Sequence, residues 1–245
     1  MEIRVHPTEE IGPAGAVAVA QALSAAGRPD ATLMPALGTS ALPVYEELAA
    51  MRRQGTLDTS RLRLVQLDEY AGIAPDDPRS LIGWLRRAVA VPLAIPDERV
   101  IRLAGDDPDS DRACRRYDDA VRAAGGIDVA VLGLGPNGHL GFNEPPSEAD
   151  APTRLVALTP ASLESNARYW SSLEVPARAL TAGMSVILAA RRILLVATGA
   201  TKRTILERTL NGSISAAVPA SLLRRHQGAT VLADPDAWPR GDGVA

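Results

Sequence analysis

The sequence is poor in several residue types, and each shortage excludes a class of protein. A single cysteine, Cys114, rules out an internal disulfide and a cysteine-based metal cluster. No apolar run reaches the roughly 20 residues that a membrane-spanning helix requires. Residues 1–7 also lack the basic region of a secretory leader. We therefore expect a cytoplasmic protein.

Lysine, phenylalanine and asparagine are scarce as well, which makes their few positions informative. Lys202 is the single lysine among 26 basic residues, and Phe142 is the single phenylalanine. Two of the four asparagines, Asn137 and Asn143, flank His139 in a short segment that also contains Phe142. In a chain rich in Ala, Arg, Gly and Pro, we interpret such residues as marks of constrained positions.

The charges that are present do not form blocks. The net charge is -3, and acidic residues and arginines alternate along the chain, which indicates neither a nucleic-acid surface nor a polybasic membrane face. The 245 residues, 46% of them hydrophobic, can bury a sizeable core. We expect a small molecule as the partner, with no nucleic acid and no membrane, and a homo-oligomer stays open.

Short apolar runs typical of buried parallel strands alternate with helical patterns. The alternation predicts one α/β domain over residues 1–245, with a doubly wound, mostly parallel, Rossmann-like sheet and helices on both faces. Residues 145–152 are interpreted as a flap and residues 234–245 as a flexible tail. The predicted strands are residues 31–37, 62–67, 127–132, 193–198 and 229–233, and the predicted helices are residues 13–26, 42–54, 81–91, 109–124, 161–172 and 202–210.

Ligands of such a sheet bind outside the carboxyl ends of its strands. The segment GLGPNGHLGFNEPP, residues 133–146, directly follows the predicted strand of residues 127–132. Its glycines match the GxGxxG spacing of dinucleotide-binding folds, but the two prolines at its end would stop the helix that this fingerprint requires. We predict instead that backbone amides near Gly138 and the side chains of His139 and Glu144 converge on a ligand. A histidine beside a carboxylate is suited to proton transfer near neutral pH.

Two adjacent acids, Asp68 and Glu69, end a second strand in the segment QLDEYAG. Successive side chains of an extended chain point in opposite directions, so only one of the two can face a site. Taken alone, the pattern fits a turn capped by Asp68 as well as it fits catalysis.

Lys202 lies at the predicted start of a helix, behind Thr201. A cation there opposes the helix dipole unless an anion is bound, and free amides at a helix start favour phosphate. Arg168 offers a forked second donor. The loop with Gly38, Thr39 and Ser40 after the first predicted strand suits phosphate and an ordinary capped turn equally well.

With these segments assembled, the chain resembles the glucosamine-6-phosphate deaminase family over nearly its whole length. LDEYAG is similar to the family's LDEY-x-G segment, and GPNGHLGFNEP to its G-x-[ND]-GHI-x-FNEP segment; SNAR, LTAGM and PASLL align as well. The resemblance implies an enzyme without cofactor or metal. It would open the pyranose ring of glucosamine-6-phosphate, isomerise the sugar through an enolamine, and hydrolyse the imine to fructose-6-phosphate and ammonia.

The resemblance also implies roles for individual residues. Asp68 would move the proton from C2 to C1, His139 would open the ring, and Glu144 would orient that histidine. Asn137 occupies a position that is Asp or Asn in the family.

The phosphate of the substrate would, by the same resemblance, be bound by the loop of Gly38, Thr39 and Ser40 together with Arg168 and Lys202. In some hexameric members, allosteric regulation depends on basic residues after the flap. Of these, only Arg154 has an obvious counterpart in this chain, so we expect no such regulation.

Some positions depart from the family pattern and keep alternatives open. The family's first loop reads TG-[GS]-TP, and its Thr, first Gly and Pro are replaced here by Ala36, Leu37 and Ser40. The Tyr of the family's Ser-Tyr pair is replaced by Leu81. The alternatives are an enzyme acting on another amino-sugar phosphate such as galactosamine-6-phosphate, a 6-phosphogluconolactonase, and a non-catalytic sugar-phosphate sensor. A nucleotide-dependent oxidoreductase fits the sequence least.

Overall fold

A computed structural model describes residues 1–167, 169–170 and 174–239 of the chain. Within these residues, ten strands form two sheets. The strands are β1 (Glu2–Val5), β2 (Thr32–Pro35), β3 (Arg63–Val65), β4 (Asp68–Tyr70), β5 (Val100–Ile101), β6 (Val129–Gly133), β7 (Arg154–Ala157), β8 (Arg178–Thr181), β9 (Arg192–Ala197) and β10 (Ala229–Ala233). The α-helices are α1 (Ile11–Ala25), α2 (Leu42–Arg53), α3 (Leu81–Leu85), α4 (Ser110–Ala123), α5 (Pro160–Ala167), α6 (Met184–Leu188) and α7 (Arg203–Asn211).

The larger sheet is parallel throughout, in the order β1-β10-β9-β6-β2-β3-β5. Alternate residues of its strands enter different cores: Leu33 packs with α1 and α2 on one face, whereas Met34 packs with α4 and α7 on the other. This alternation follows from the two-residue repeat of a strand. The predicted doubly wound sheet with helices on both faces is confirmed, and the pairing of β1 with β10 closes the chain into one domain.

All five predicted strands lie in this sheet, and each predicted helix has a counterpart. The helix predicted over residues 81–91 changes to wider π-type turns at Arg86–Ala90, and the end of the one predicted over residues 161–172 lies partly outside the described residues. The prediction missed β1 and β5, because β1 is an edge strand of mixed polarity and β5 has only two residues. The longest helix of the described residues, α1, has 15 residues, and none of the helices there could span a bilayer.

The smaller sheet, in the order β4-β8-β7, is antiparallel and was also missed. Its strands have three or four residues each, and β7 is only half-buried, so their sequences carry little periodicity. This sheet adjoins the carboxyl end of the large sheet, because β4 follows β3 after only Gln66 and Leu67.

The first six residues of the predicted flexible tail, residues 234–239, are held in place. Asp234 is buried and accepts hydrogen bonds from the backbone N–H groups of Gly199 and Ala237. Ala237 is fully buried in the core. Residues 234–239 are therefore held by the domain, and residues 240–245 lie outside the described residues.

Candidate active site

A cavity of about 580 Å³ opens at the carboxyl ends of the parallel strands. Its walls come from the loops after β2, β6 and β9, from the start of β4 and from α5. The neighbours β2 and β6 mark the point where the strand order reverses, which is where doubly wound sheets bind their ligands. Fold topology thus brings together segments that are far apart in sequence.

Asp68 and Glu69 diverge, as the alternation of an extended chain requires. Both belong to β4, and Asp68 lines the cavity whereas Glu69 points away from it and is buried. Glu69 accepts hydrogen bonds from the backbone N–H groups of Leu81 and Ile82 at the start of α3, at 2.9 and 2.8 Å. Of the two acids, Asp68 is the one available for chemistry.

The environment of Asp68 favours its neutral form. Burial, and after it the negative charge of Glu69, raises the pKa of Asp68 to about 7. A carboxylate with a pKa near the working pH is a stronger base than a solvated one, and it is still ionised often enough to accept a proton. Asp68 can therefore abstract a proton from a ligand held in the cavity.

His139 lines the same cavity and is held from behind by Glu144. Its Nδ1 atom lies 3.3 Å from Oε2 of Glu144, so Nε2 is the ring nitrogen left for a ligand. The imidazole packs on Gly135, where an added Cβ would lie 2.2 Å from the ring. Gly135 is thus required by the position of His139.

Glu144 is nearly buried, and its carboxylate has several donors. Burial alone would raise its pKa, but hydrogen bonds from His139, Ser162 and Asn137 lower the pKa of Glu144 to about 2. The Asn137 amide donates to Oε2 at 2.7 Å. Glu144 therefore keeps a negative charge next to the imidazole across the physiological pH range.

Asn143 and Arg154 fix the loop that carries Glu144. The Asn143 amide nitrogen donates to the carbonyl of Ala182 at 2.8 Å, and its oxygen accepts from Arg154 at 2.9 Å. Arg154 also donates to Ser147, whose hydroxyl donates to the carbonyl of Glu144. The stretch predicted as a flap, residues 145–152, is anchored here at the buried Ser147.

Another wall of the cavity contains the predicted phosphate-binding residues Gly38, Thr39, Ser40 and Lys202. The Ser40 and Thr198 hydroxyls are 2.7 Å apart, which joins the loop after β2 to the loop after β9. Lys202 stands at the N-cap of α7, one residue earlier in the helix than expected. Arg168, the predicted second cation, lies outside the described residues.

The structure places the remaining predicted residues away from the cavity surface. Asn137 and Glu144 lie behind His139: Glu144 contacts the ring, and Asn137 hydrogen-bonds Glu144. We expected Gly138 to offer its backbone to the ligand. Its φ is instead +89°, and it packs against Val218 so closely that an added Cβ would lie 2.8 Å from that side chain. It makes the turn possible and does not line the cavity. After it comes a short bridge between Leu140 and Asn143 and no helix, so the dinucleotide fingerprint is incomplete.

A family model described as glucosamine-6-phosphate isomerases/6-phosphogluconolactonase matches residues 8–232. The chain belongs to this family. A glucosamine-6-phosphate deaminase of Streptomyces avermitilis is 39% identical over 236 residues, which are 96% of this chain and 90% of that protein.

Solved structures of the family show the same fold. That of a monomeric glucosamine-6-phosphate deaminase superposes with a TM-score of 0.92 at 34% identity, over 97% of this chain and 98% of the other. A 6-phosphogluconolactonase from Trypanosoma brucei has a TM-score of 0.76 at 21% identity, over 96% and 97% of the two chains. At that identity the likeness to the lactonase concerns the fold alone.

Two of the departures of this chain from the deaminase pattern, Leu37 and Leu81, lie on the apolar side of the cavity. Leu37 and Leu81 both line it and pack with Tyr70 and Phe142, whose rings are 5.4 Å apart. Leu37 thus extends an apolar wall of the cavity. The single phenylalanine of the chain belongs to the same wall.

Sequence reasoning missed several residues of this family site. Ser162 is fully buried, and its hydroxyl lies 3.3 Å from Nδ1 of His139. Trp84 and Tyr169, with ring centroids 5.1 Å apart, also line the cavity. Because aromatic residues make up only 3% of the chain, their few positions could have indicated Trp84 and Tyr169 as site residues. Serine is common and gave no signal for Ser162.

Proposed function

We propose that this chain is a glucosamine-6-phosphate deaminase, which converts glucosamine-6-phosphate to fructose-6-phosphate and ammonia. Family membership and relatives of that name support the activity. The observation that carries the proposal is the placement of Asp68, with its raised pKa, in one cavity with a histidine whose Nδ1 is held by Glu144.

The first step is ring opening by His139. With Nδ1 bound to Glu144, Nε2 transfers a proton from the anomeric hydroxyl to the ring oxygen as the C1–O5 bond breaks. The Glu144 carboxylate stabilises the imidazolium that forms on the way. The product of this step is the open-chain amino aldehyde.

The second step is isomerisation by Asp68. The carboxylate removes the C2 proton while a proton of the 2-ammonium group passes to O1, which gives an enolamine. The carboxyl group then returns its proton to C1, which leaves a protonated imine at C2. Water then adds to the imine carbon, and ammonia departs as the ketone forms. The Asp68 carboxyl is regenerated as a carboxylate, so no external oxidant or reductant is needed.

The phosphate group is proposed to bind between the loop of Gly38, Thr39 and Ser40 and the start of α7, with Lys202 and Arg168 as cations. An added Cβ on Gly38 would meet no atom within 4 Å, so this backbone is open to the cavity. The amides at the start of α7 favour an anion for the reason that applies to helix starts in general. An ionised phosphate would also retain the substrate in the cytoplasm, where we propose that the enzyme acts.

Ammonia release by the purified protein tests the proposal. We expect rapid release from glucosamine-6-phosphate, and release from unphosphorylated glucosamine at least about 100-fold slower in kcat/KM, because each charge-assisted contact to phosphate contributes roughly 1.5–3 kcal/mol. Faster turnover of galactosamine-6-phosphate would reassign the substrate. Hydrolysis of 6-phosphogluconolactone without ammonia release from any amino sugar would contradict deaminase activity.

The pH dependence of kcat/KM follows from the raised pKa of Asp68. Since Asp68 must be ionised to act as a base, kcat/KM for glucosamine-6-phosphate should fall about tenfold per pH unit below pH 7 and level off above it. A solvated aspartate would place this limb near pH 4. Initial rates between pH 5 and 9 with ammonia detection measure it, and a plateau that extends down to pH 5 would contradict the assignment of Asp68 as base.

A further inference from the structure

Ser162 belongs to neither the cavity surface nor the general core, yet it touches both members of the histidine–glutamate pair. Its side chain is fully buried in the first turns of α5. The hydroxyl oxygen lies 3.3 Å from Nδ1 of His139, and the hydroxyl is near enough to the Glu144 carboxylate to lower its pKa. Three side chains from two distant segments thus meet around one ring nitrogen.

This triangle restrains the imidazole more than a carboxylate alone would. The Nδ1–Oε2 distance of 3.3 Å to Glu144 is long for a charge-assisted hydrogen bond, and Ser162 adds a second contact to the same nitrogen at the same distance. With Nδ1 protonated, the hydroxyl of Ser162 can accept from Nδ1–H and keep its own hydrogen for Glu144, because a hydroxyl has one donor and two lone pairs. Nε2 is then the nitrogen presented to the cavity.

The position of Ser162 also links α5 to the ring. The backbone N–H of Ser162 donates to the Thr159 hydroxyl at 3.3 Å, and the backbone N–H of Thr159 points to Oε1 of Glu144 at 3.4 Å. In the following turn, Glu164 and Ser165 line the cavity. A helix that lines the cavity is therefore hydrogen-bonded, at its start, to Glu144 and His139.

We infer that Ser162 is a positioning residue for ring opening: its hydroxyl holds the His139 ring and the Glu144 carboxylate in the one arrangement that presents Nε2 to the sugar. The inference rests on the proposed function. The charged groups that share the surroundings of His139 in the described residues are Glu144 behind the ring and Asp68, Glu164 and Lys202 around the cavity.

Kinetics of Ser162→Ala test the catalytic part. We expect kcat for ammonia release to fall about tenfold, which is part of the roughly 10²–10⁴-fold rate gain that a positioned acid–base group contributes. KM should stay within about twofold, because Ser162 does not line the cavity. Ser162→Thr, which keeps the hydroxyl, should recover most of kcat. Thr59→Val is the matched control: it removes another buried hydroxyl, which donates to the carbonyl of Leu93 away from the cavity, and should leave kcat unchanged.

A spectroscopic measurement keeps the inference separate from the proposed function. The chain has three histidines, so the ring ¹⁵N signals of His139 can be assigned with a His139→Asn variant. In the wild type at pH 8 we expect the Nδ1–H tautomer with slow exchange of the Nδ1–H proton with water, and in Ser162→Ala the same tautomer with faster exchange, because one of the two groups around Nδ1 is lost. An unchanged exchange rate overturns the inference whether or not the protein deaminates sugars, and faster exchange with wild-type kcat overturns the catalytic role.

Discussion

Replacing Asp68 with asparagine is expected to lower kcat for ammonia release by about 10³-fold or more, because it removes the carboxylate that we propose moves the C2 proton. Asparagine has the same shape and no basicity, so the affinity for glucosamine-6-phosphate should change little. Ammonia release measures kcat, and calorimetric titration of the inactive variant measures binding. Retention of more than about a tenth of kcat would exclude Asp68 as the base.

The same substitution is expected to stabilise the protein at alkaline pH. The folded-state pKa of Asp68, about 7, lies above the unfolded value of 3.8, so the folded protein loses stability as the pH rises between these values. Asp68 keeps partial contact with water at the cavity wall, so we expect a gain of only about 1 kcal/mol, or about 2–4 °C in Tm, at pH 8.

The pH dependence of this gain is its control. Near pH 4 the folded wild type carries a protonated Asp68, so Asp68→Asn should have nearly the Tm of the wild type. Thermal melts of both proteins at pH 4 and pH 8 measure the difference. A gain of equal size at both pH values would show that the substitution acts through packing and not through the buried charge.

Glu69→Gln is expected to have the opposite effect, a large loss of stability. Oε1 of Glu69 accepts from the backbone N–H groups of Tyr70 and Leu81, and Oε2 accepts from the N–H of Ile82 and the amide of Gln66. In glutamine an NH₂ group replaces one of these two oxygens. Because NH₂ donates and does not accept, the two N–H groups that this oxygen served are left without an acceptor. Two buried donors lose their acceptor, at about 2–4 kcal/mol in total.

Thermal and urea unfolding at pH 7.5 measure this loss, which corresponds to a fall of roughly 5–15 °C in Tm. Glu46→Gln is the matched control, since Glu46 is exposed on α2 and its substitution should change Tm by less than about 1 °C. A Glu69→Gln protein with wild-type Tm but little activity would mean that Glu69, and not Asp68, serves the reaction.

The sequence by itself determined five of the seven strands of the large sheet and the chemistry available to the site. Five buried apolar runs and six helical patterns are local signals, because each depends on periodicity within about ten residues. The same holds for the divergence of Asp68 and Glu69, which follows from strand geometry, and for the absence of a helix after Gly138, where two prolines stop it.

Only the tertiary structure decided which side chain faces which partner. Glu69 points away from the cavity because the start of α3, twelve residues later, supplies two N–H groups. Ser162 meets His139 across 23 residues, and Gly138 packs on Val218 across a still longer separation. Such contacts depend on how helices and loops dock onto the sheet, and a single sequence carries no local periodicity that records the docking.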